Sequence, residues 1–263
     1  MIDQYAEIVF NDQITSETWL MGLRSPEIVS SSKPGQFVMM RVRSGLNPLL
    51  RRPFSICGIK ADVFLVLYRV VGQGTAIMAE TNAGEELCVL GPLGKGFQRP
   101  KRGQIPVLLG GGIGVAPLLF MAQSMKTRMF QFMMGFGSAS EIIAVDHVAG
   151  HRMELSVATD DGTRGHAGPV TDLLERYLKK HKSKKQAISL FACGPKPMLK
   201  RVAEMTMDRG ISCQLSLEAS MACGLGACQG CAVKASSNED RTYYHVCRDG
   251  PVLPVQAIDW DAL

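Results

Sequence analysis

The sequence predicts a β + α/β protein in three parts, and three observations predict it. Short segments rich in β-formers recur through residues 1–100, strands and helices alternate through 101–217, and four cysteines crowd residues 218–263. The first pattern fits a small antiparallel barrel and the second a parallel sheet covered by helices. The third fits a metal-binding module.

Strands are expected at 6–10, 18–23, 36–42, 63–70 and 86–90, divided by turn residues such as Lys33-Pro-Gly35 and Asn82-Ala-Gly84. Only 74–80 reads as a helix in this half. Beyond the hydrophilic patch at 98–103, strands fall near 107–109, 130–135, 154–159, 188–192 and 213–217. Helices fall near 115–125, 170–180 and 197–209. Residues 103–125 carry no charge and are long enough for a bilayer, but Pro106, Pro117 and a glycine cluster interrupt them. A strand, a turn and a helix explain the run better, so no membrane span is expected.

At 263 residues the chain exceeds one typical domain, and its 46% apolar content is that of a globular protein. The N-terminal residues lack the basic and apolar regions of a secretory leader, which points to a cytoplasmic protein. Net charge is +5, and the densest basic run, at 179–185, contains no aromatic residue. It suits a solvated helix end rather than nucleic-acid binding by stacking. In a reducing compartment the eight cysteines do not imply disulfides. Cys57, Cys88, Cys193 and Cys213 are scattered and read mostly as small buried hydrophobes.

The other four, Cys223, Cys228, Cys231 and Cys247, stand in the order C-x4-C-x2-C-x15-C, the spacing of a plant-type [2Fe–2S] loop. Small residues between them let the backbone fold tightly and aim N–H groups at cluster sulfurs. A structural zinc site is the alternative, and it would make the chain a zinc-stabilised binding module. Such sites usually pair two C-x2-C units, whereas only Cys228 and Cys231 form one here.

Four further motifs carry chemistry. In Arg51-Arg-Pro-Phe-Ser-Ile56 an arginine fork suits a pyrophosphate and Ser55 offers a hydroxyl, although a plain strand edge has the same look. In Leu67-Tyr-Arg-Val-Val-Gly-Gln-Gly-Thr75 a helix capped by Thr75 would present N–H groups to an anion, or be merely capped. Gly110, Gly111, Gly112 and Gly114 sit at a strand-to-helix junction where a dinucleotide can approach, without the spacing of G-x-G-x-x-G. A tight structural turn is the competing account. Cys193, in Phe191-Ala-Cys-Gly-Pro195, ends a strand, where open α/β sheets bind ligands.

The order of these motifs is more specific than any one of them. Arg52-Pro-Phe-Ser55, Gly91-Pro-Leu-Gly-Lys-Gly96, Gly110-Gly-Gly-Ile-Gly-Val-Ala-Pro117 and Cys193-Gly-Pro195 together resemble the ferredoxin–NADP reductase superfamily. With the cysteine loop and Tyr244-His-Val-Cys247-Arg-Asp-Gly-Pro-Val252 added, the chain closely resembles one branch. That branch is the electron-transfer subunits of class B, NAD-linked dihydroorotate dehydrogenases. The resemblance implies FAD in the barrel, with Arg52 on its pyrophosphate, Pro53, Phe54 and Ser55 at the flavin, and Leu67, Tyr68, Arg69, Gly74 and Thr75 as further contacts. It implies NAD against Gly110, Gly111, Gly112 and Gly114, with Cys193, Gly194 and Pro195 beside the nicotinamide. The four loop cysteines would hold the [2Fe–2S] cluster.

The implied partner is an FMN-containing catalytic subunit that oxidises dihydroorotate to orotate in pyrimidine synthesis, two copies of each chain forming a heterotetramer. Dihydroorotate yields two electrons and NAD+ takes a hydride, while a cluster passes electrons singly. A flavin converts between the two regimes, so the protein positions and tunes cofactors rather than supplying an acid or base. Related NADPH-linked bifurcating or sulfide-oxidising reductases resemble this chain but replace the first cluster cysteine with aspartate. Cys223 and the absence of basic residues in Phe136-Gly-Ser-Ala-Ser-Glu141 favour NAD, with Ser138 and Ser140 leaving NADP open. A self-contained reductase serving a diffusible acceptor is a further alternative.

Overall fold

A computed structural model of the chain describes residues 1–125, 129–145, 153–181 and 188–263. The strands β1 (Ile2–Gln13), β2 (Thr18–Arg24), β3 (Phe37–Arg41), β4 (Arg52–Lys60), β5 (Val63–Arg69) and β6 (Glu86–Leu93) close into an antiparallel barrel. Their order is β1-β2-β5-β4-β3-β6. Alternation along each strand turns Ile8, Met21, Val38, Met40, Ile56 and Val66 inward, where they fill the barrel.

Two elements of the barrel differ from the sequence expectation. The arginine motif opens a strand, β4, whose first half pairs only with β3 and whose second half, from Ile56, pairs with β5. Pro53 is tolerated because its half of the strand lacks the β5 neighbour that its missing N–H would have served. A second helix is present, α1 (Pro26–Ser31). Its start signal is legible in Ser25-Pro-Glu27: the Ser25 hydroxyl accepts the Ile28 N–H at 3.1 Å, and Pro26 stands in the first turn. The expected helix is α2 (Gln73–Ala79).

The second half builds a seven-stranded sheet from β7 (Ile105–Gly111), β8 (Phe130–Phe136), β9 (Met153–Thr159), β10 (His166–Ala167), β11 (Ile188–Cys193), β12 (Ser212–Ser216) and β15 (Val252–Pro254). The order is β10-β9-β8-β7-β11-β12-β15, and every pairing is parallel except that of β12 with β15. Helices α3 (Val115–Ser124), α4 (Val170–Lys180) and α5 (Lys196–Met207) cover it. Residues 115–122 of α3 are all buried, because the helix lies between the sheet and strand β4 of the barrel. Burial on both sides explains the uncharged run without a membrane. No helix among the described residues is long and apolar enough to cross one. Lys179 and Lys180 end α4, and residues 182–185 of the basic run lie outside the described residues.

Two glutamine side chains tie the halves together, each imitating a strand residue. Gln123 of α3 accepts the Ile59 N–H at 3.0 Å and donates to the Ile59 carbonyl at 2.6 Å. Gln214 of β12 accepts the Gln98 N–H at 2.8 Å and donates to its carbonyl at 3.0 Å. The cysteine segment contributes the small hairpin β13 (Ala232–Lys234) and β14 (Tyr243–His245) before the chain returns as β15. It packs on the outer face of the barrel, where Phe37, Met39, Leu90 and Leu93 share one core with Cys231, Val246 and Cys247.

Candidate functional site

At the open half of β4, the Arg52 side chain lies over Gly74. A Cβ at Gly74 would stand 2.4 Å from the Arg52 Nε, so glycine lets the arginine lie directly on the helix start. Arg52 Nη1 also donates to the Leu50 carbonyl, which holds the fork across the start of α2. Thr75 is not the cap residue: Gly72 is, and the Thr75 hydroxyl, one turn inside, accepts the N–H groups of Val71 at 2.9 Å and Gly72 at 3.2 Å. The difference arises because Gly72 leaves the helix in extended backbone, with φ −178, which places Thr75 third in the helix. An arginine fork at a helix start makes a cradle for an anionic diphosphate.

Strand alternation sorts the other barrel residues. Phe54 and Tyr68 point inward and meet edge to face at 6.0 Å, and the Tyr68 hydroxyl donates to Asn11 Oδ1 at 2.9 Å. Burial holds that hydroxyl at about 12, against the pull of the Asn11 contact. Tyr68 is fully buried, whereas Phe54 keeps part of its ring exposed. Leu67 faces the second half, and Arg69 reaches an inter-domain cleft, paired with Glu17 at 3.7 Å.

That cleft, of about 210 Å³, is closed on its far wall by Gly112, Ile113, Phe136, Ser140 and Glu141. Gly112 adopts φ +54, the left-handed turn that glycine supplies at least cost. Beside it the two strand-end motifs interlock. A Cβ on Gly114 would meet the Cys193 carbonyl oxygen and the Gly194 Cα at 2.6 Å, and one on Gly111 would meet Pro195 Cδ at 2.9 Å. So the glycine turn and Cys193-Gly-Pro195 form a single surface at the carboxyl edge of the sheet. Burial first, then the charge of Glu218, pushes the Cys193 thiol far up, so it stays neutral. Cys57 and Cys213 are likewise buried and pushed up to about 12.

The four loop cysteines divide into two pairs. Cys223 Sγ accepts the N–H groups of Leu225 at 3.3 Å and Cys228 at 3.4 Å, and these bonds bring its thiol down to about 6. Cys231 and Cys247 lie 3.2 Å apart between sulfurs, and Gly226 donates to Cys247 Sγ at 3.1 Å. Burial, reinforced by Cys231, raises the Cys247 thiol to about 12. Gly224 and Gly226, at φ +73 and +81, let the loop turn tightly, and Gly224 presses on Met39 of β3. Among the described residues no three His, Cys, Asp or Glu side chains converge as a single-ion site. Two cysteine pairs would suit a two-iron cluster, and the inward N–H groups are the donors its thiolate ligands would need.

The model of the iron-sulfur cluster binding domain of dihydroorotate dehydrogenase B matches residues 218–259. The dihydroorotate dehydrogenase B (NAD(+)) electron transfer subunit of Caldanaerobacter subterraneus subsp. tengcongensis is 35% identical, covering 94% of this chain and 95% of its own. That of Bacillus caldolyticus is 39% identical, over 91% of this chain and 92% of its own. The chain belongs to this family. A chain from the structure of NADH-dependent reduced ferredoxin-NADP oxidoreductase, solved in work on flavin-based electron bifurcation, is similar at 28% identity, with a TM-score of 0.84 over 97% of this chain and 90% of that one. The ferredoxin NADP+ reductase of Neisseria gonorrhoeae shares the fold, at 20% identity and a TM-score of 0.65 over 79% of this chain and 92% of that one.

Within the family framework, sequence reasoning missed three supporting residues. Gln123 and Gln214 carry no motif, since their partners are main-chain atoms far away in sequence. Asp249 accepts the His245 N–H at 2.9 Å and lies beside Arg241 and Arg248, anchoring the turn that delivers Cys247. Its position two residues after Cys247 was the available signal.

Proposed function

We propose that this chain is the electron-transfer subunit of an NAD-linked dihydroorotate dehydrogenase, holding FAD, a [2Fe–2S] cluster and NAD, and serving a catalytic partner subunit in pyrimidine synthesis. One observation carries the reading. Gly224 of the cysteine loop rests on Met39 of β3, and across one strand spacing Met39 and Met40 pair with Pro53 and Arg52 of the arginine motif. A cluster and a flavin held at those places are neighbours through β3. The family name supplies the NAD linkage and the existence of a catalytic partner.

When bound, FAD supplies the exchange between single electrons and a hydride, and the cluster supplies the single-electron relay. The residues of this chain bind and orient. Arg52 and the start of α2 take the FAD pyrophosphate, with Ser55 at the flavin edge and Pro53, Phe54, Leu67, Tyr68, Arg69, Gly74 and Thr75 shaping its seat. Gly110, Gly111, Gly112 and Gly114 admit the dinucleotide, and Cys193, Gly194 and Pro195 back the nicotinamide. Cys223, Cys228, Cys231 and Cys247 ligate the cluster.

Glu141 and Ser140 line the inter-domain cleft, and Arg69 there is paired with Glu17, so a ribose diol suits it better than a 2′-phosphate. The partner carries FMN, and two of each chain make the assembly. The test is the visible spectrum of anaerobically purified protein, before and after NADH. Flavin bands with a broad iron–sulfur shoulder, both bleached by NADH, are expected. A colourless protein containing zinc would remove the functional reading and leave the fold.

A further inference from the structure

The loop joining β3 to β4 combines two features that a loop between barrel strands does not need. Leu46, Leu49 and Leu50 are 82%, 59% and 51% exposed. Residues 41–52 also contain Arg41, Arg43, Arg51 and Arg52 and no acidic residue. The loop is shaped by its own charges: Arg41 Nη2 donates to the Gly45 carbonyl at 3.2 Å and Arg43 Nε to that of Asn47 at 2.6 Å. Among the described residues, only Arg51 has a carboxylate partner there, Asp3 at 2.9 Å. Leucines presented on a braced, cationic loop form a prong.

Its position says what the prong meets. Phe37, Met39 and Arg41 alternate onto the outer face of β3, the face that carries the cysteine loop on Met39 and Leu93. Arg41 lies only two residues along, about 7 Å further on that strand. Leu225, at the tip of the cysteine loop, is itself 45% exposed. Electron transfer weakens exponentially with distance, so a protein donor has to seat itself over that tip. A subunit seated there reaches the prong on the same face.

We infer that residues 42–51 anchor the catalytic partner subunit, the leucines entering an apolar pocket of that subunit rimmed by carboxylates. The inference rests on the reading of this chain as an electron-transfer subunit. A few side chains desolvated at the centre of an interface carry most of its energy, while rim charges set the rate of association and its salt dependence. The cationic leucine prong also has the composition of an anionic-membrane contact. Continuity with the cysteine loop decides for the protein partner.

The experiment uses full-length holoprotein and the co-produced catalytic subunit, with binding measured by sedimentation and interferometry. Leu46→Ser/Leu49→Ser is expected to raise Kd at least tenfold, keep full FAD and cluster absorption, and leave NADH bleaching of the flavin unchanged. Arg43→Glu, a second variant on the rim, is expected to slow association and flatten its salt dependence. If both variants bind with the Kd of the unaltered chain, the anchor is elsewhere. Loss of FAD in the leucine variant would assign the prong to the flavin seat and overturn the inference. So would loss of sedimentation with phosphatidylglycerol vesicles while subunit binding is kept. Should the unaltered chain fail to bind the catalytic subunit at all, the functional reading itself falls, which is a separate outcome.

Discussion

Replacing Gly74 with alanine sets two effects of opposite sign against each other. Gly74 is helical and has no positive φ, so alanine is unstrained there and gains up to about 1 kcal/mol of helix propensity. Yet its Cβ would lie 2.4 Å from Arg52 Nε, 2.9 Å from Cζ and 3.1 Å from Cδ. Ordinary carbon contacts need about 3.5 Å, so the guanidinium must retreat by roughly 1 Å. A charge-assisted hydrogen bond to a phosphate is worth about 1.5–3 kcal/mol and tolerates little misalignment. The loss of one such bond weakens FAD by roughly 10- to 150-fold. Flavin-fluorescence titration of the reconstituted protein measures it, with thermal unfolding of the FAD-free protein as the control. Gly74→Ala should unfold no earlier than the unaltered chain while binding FAD far more weakly. Equal FAD affinity would show that Arg52 is not on the pyrophosphate.

Gly114→Ala drives a Cβ to within 2.6 Å of main-chain atoms at Cys193 and Gly194, which cannot rotate away. Overpacking of that kind costs about 1–3 kcal/mol, and KM for NADH should rise while FAD content holds; an unchanged KM would exclude this junction from the nucleotide site. Cys228→Ser should abolish the electron paramagnetic resonance signal of the reduced cluster and spare the flavin bands, and an intact signal would strike Cys228 from the ligands. Gln123→Ala leaves the Ile59 N–H and carbonyl without their side-chain partner, at a cost of about 2 kcal/mol. Hydrogen exchange at the Ile59 amide should accelerate well over tenfold, and unchanged protection would mean that α3 is held by packing alone.

The parallel sheet and the cysteine loop were legible because each has a local signature: apolar strands alternating with helices, and thiols at a ligand spacing. The arginine motif is legible as a candidate anion site but not as β4, because a leading Arg-Pro reads as the end of a strand until its one-sided pairing is known. Helix α1 was overlooked although Ser25-Pro-Glu27 is a start signal, since six residues are too few to show a helical period. For Phe54 and Tyr68 the sequence shows a ligand-site motif while strand parity sends both side chains into the barrel. Parity depends on register, and register here is fixed by partners in β2 and β3, distant in the chain. The glutamine clamps share that cause.

β12 and β15 are hydrogen-bonded neighbours, and everything from Leu217 to Pro251 is therefore the connection between two adjacent strands. Its ends are held on both sides: Leu217 N–H donates to the Pro251 carbonyl at 2.9 Å, and Lys95 of the barrel donates to that of Gly250 at 2.5 Å. A cluster carried on such a connection is a fixture of the enzyme's frame rather than a shuttle on a tether. The fold itself therefore fixes where the four cysteines stand relative to β3 and β4.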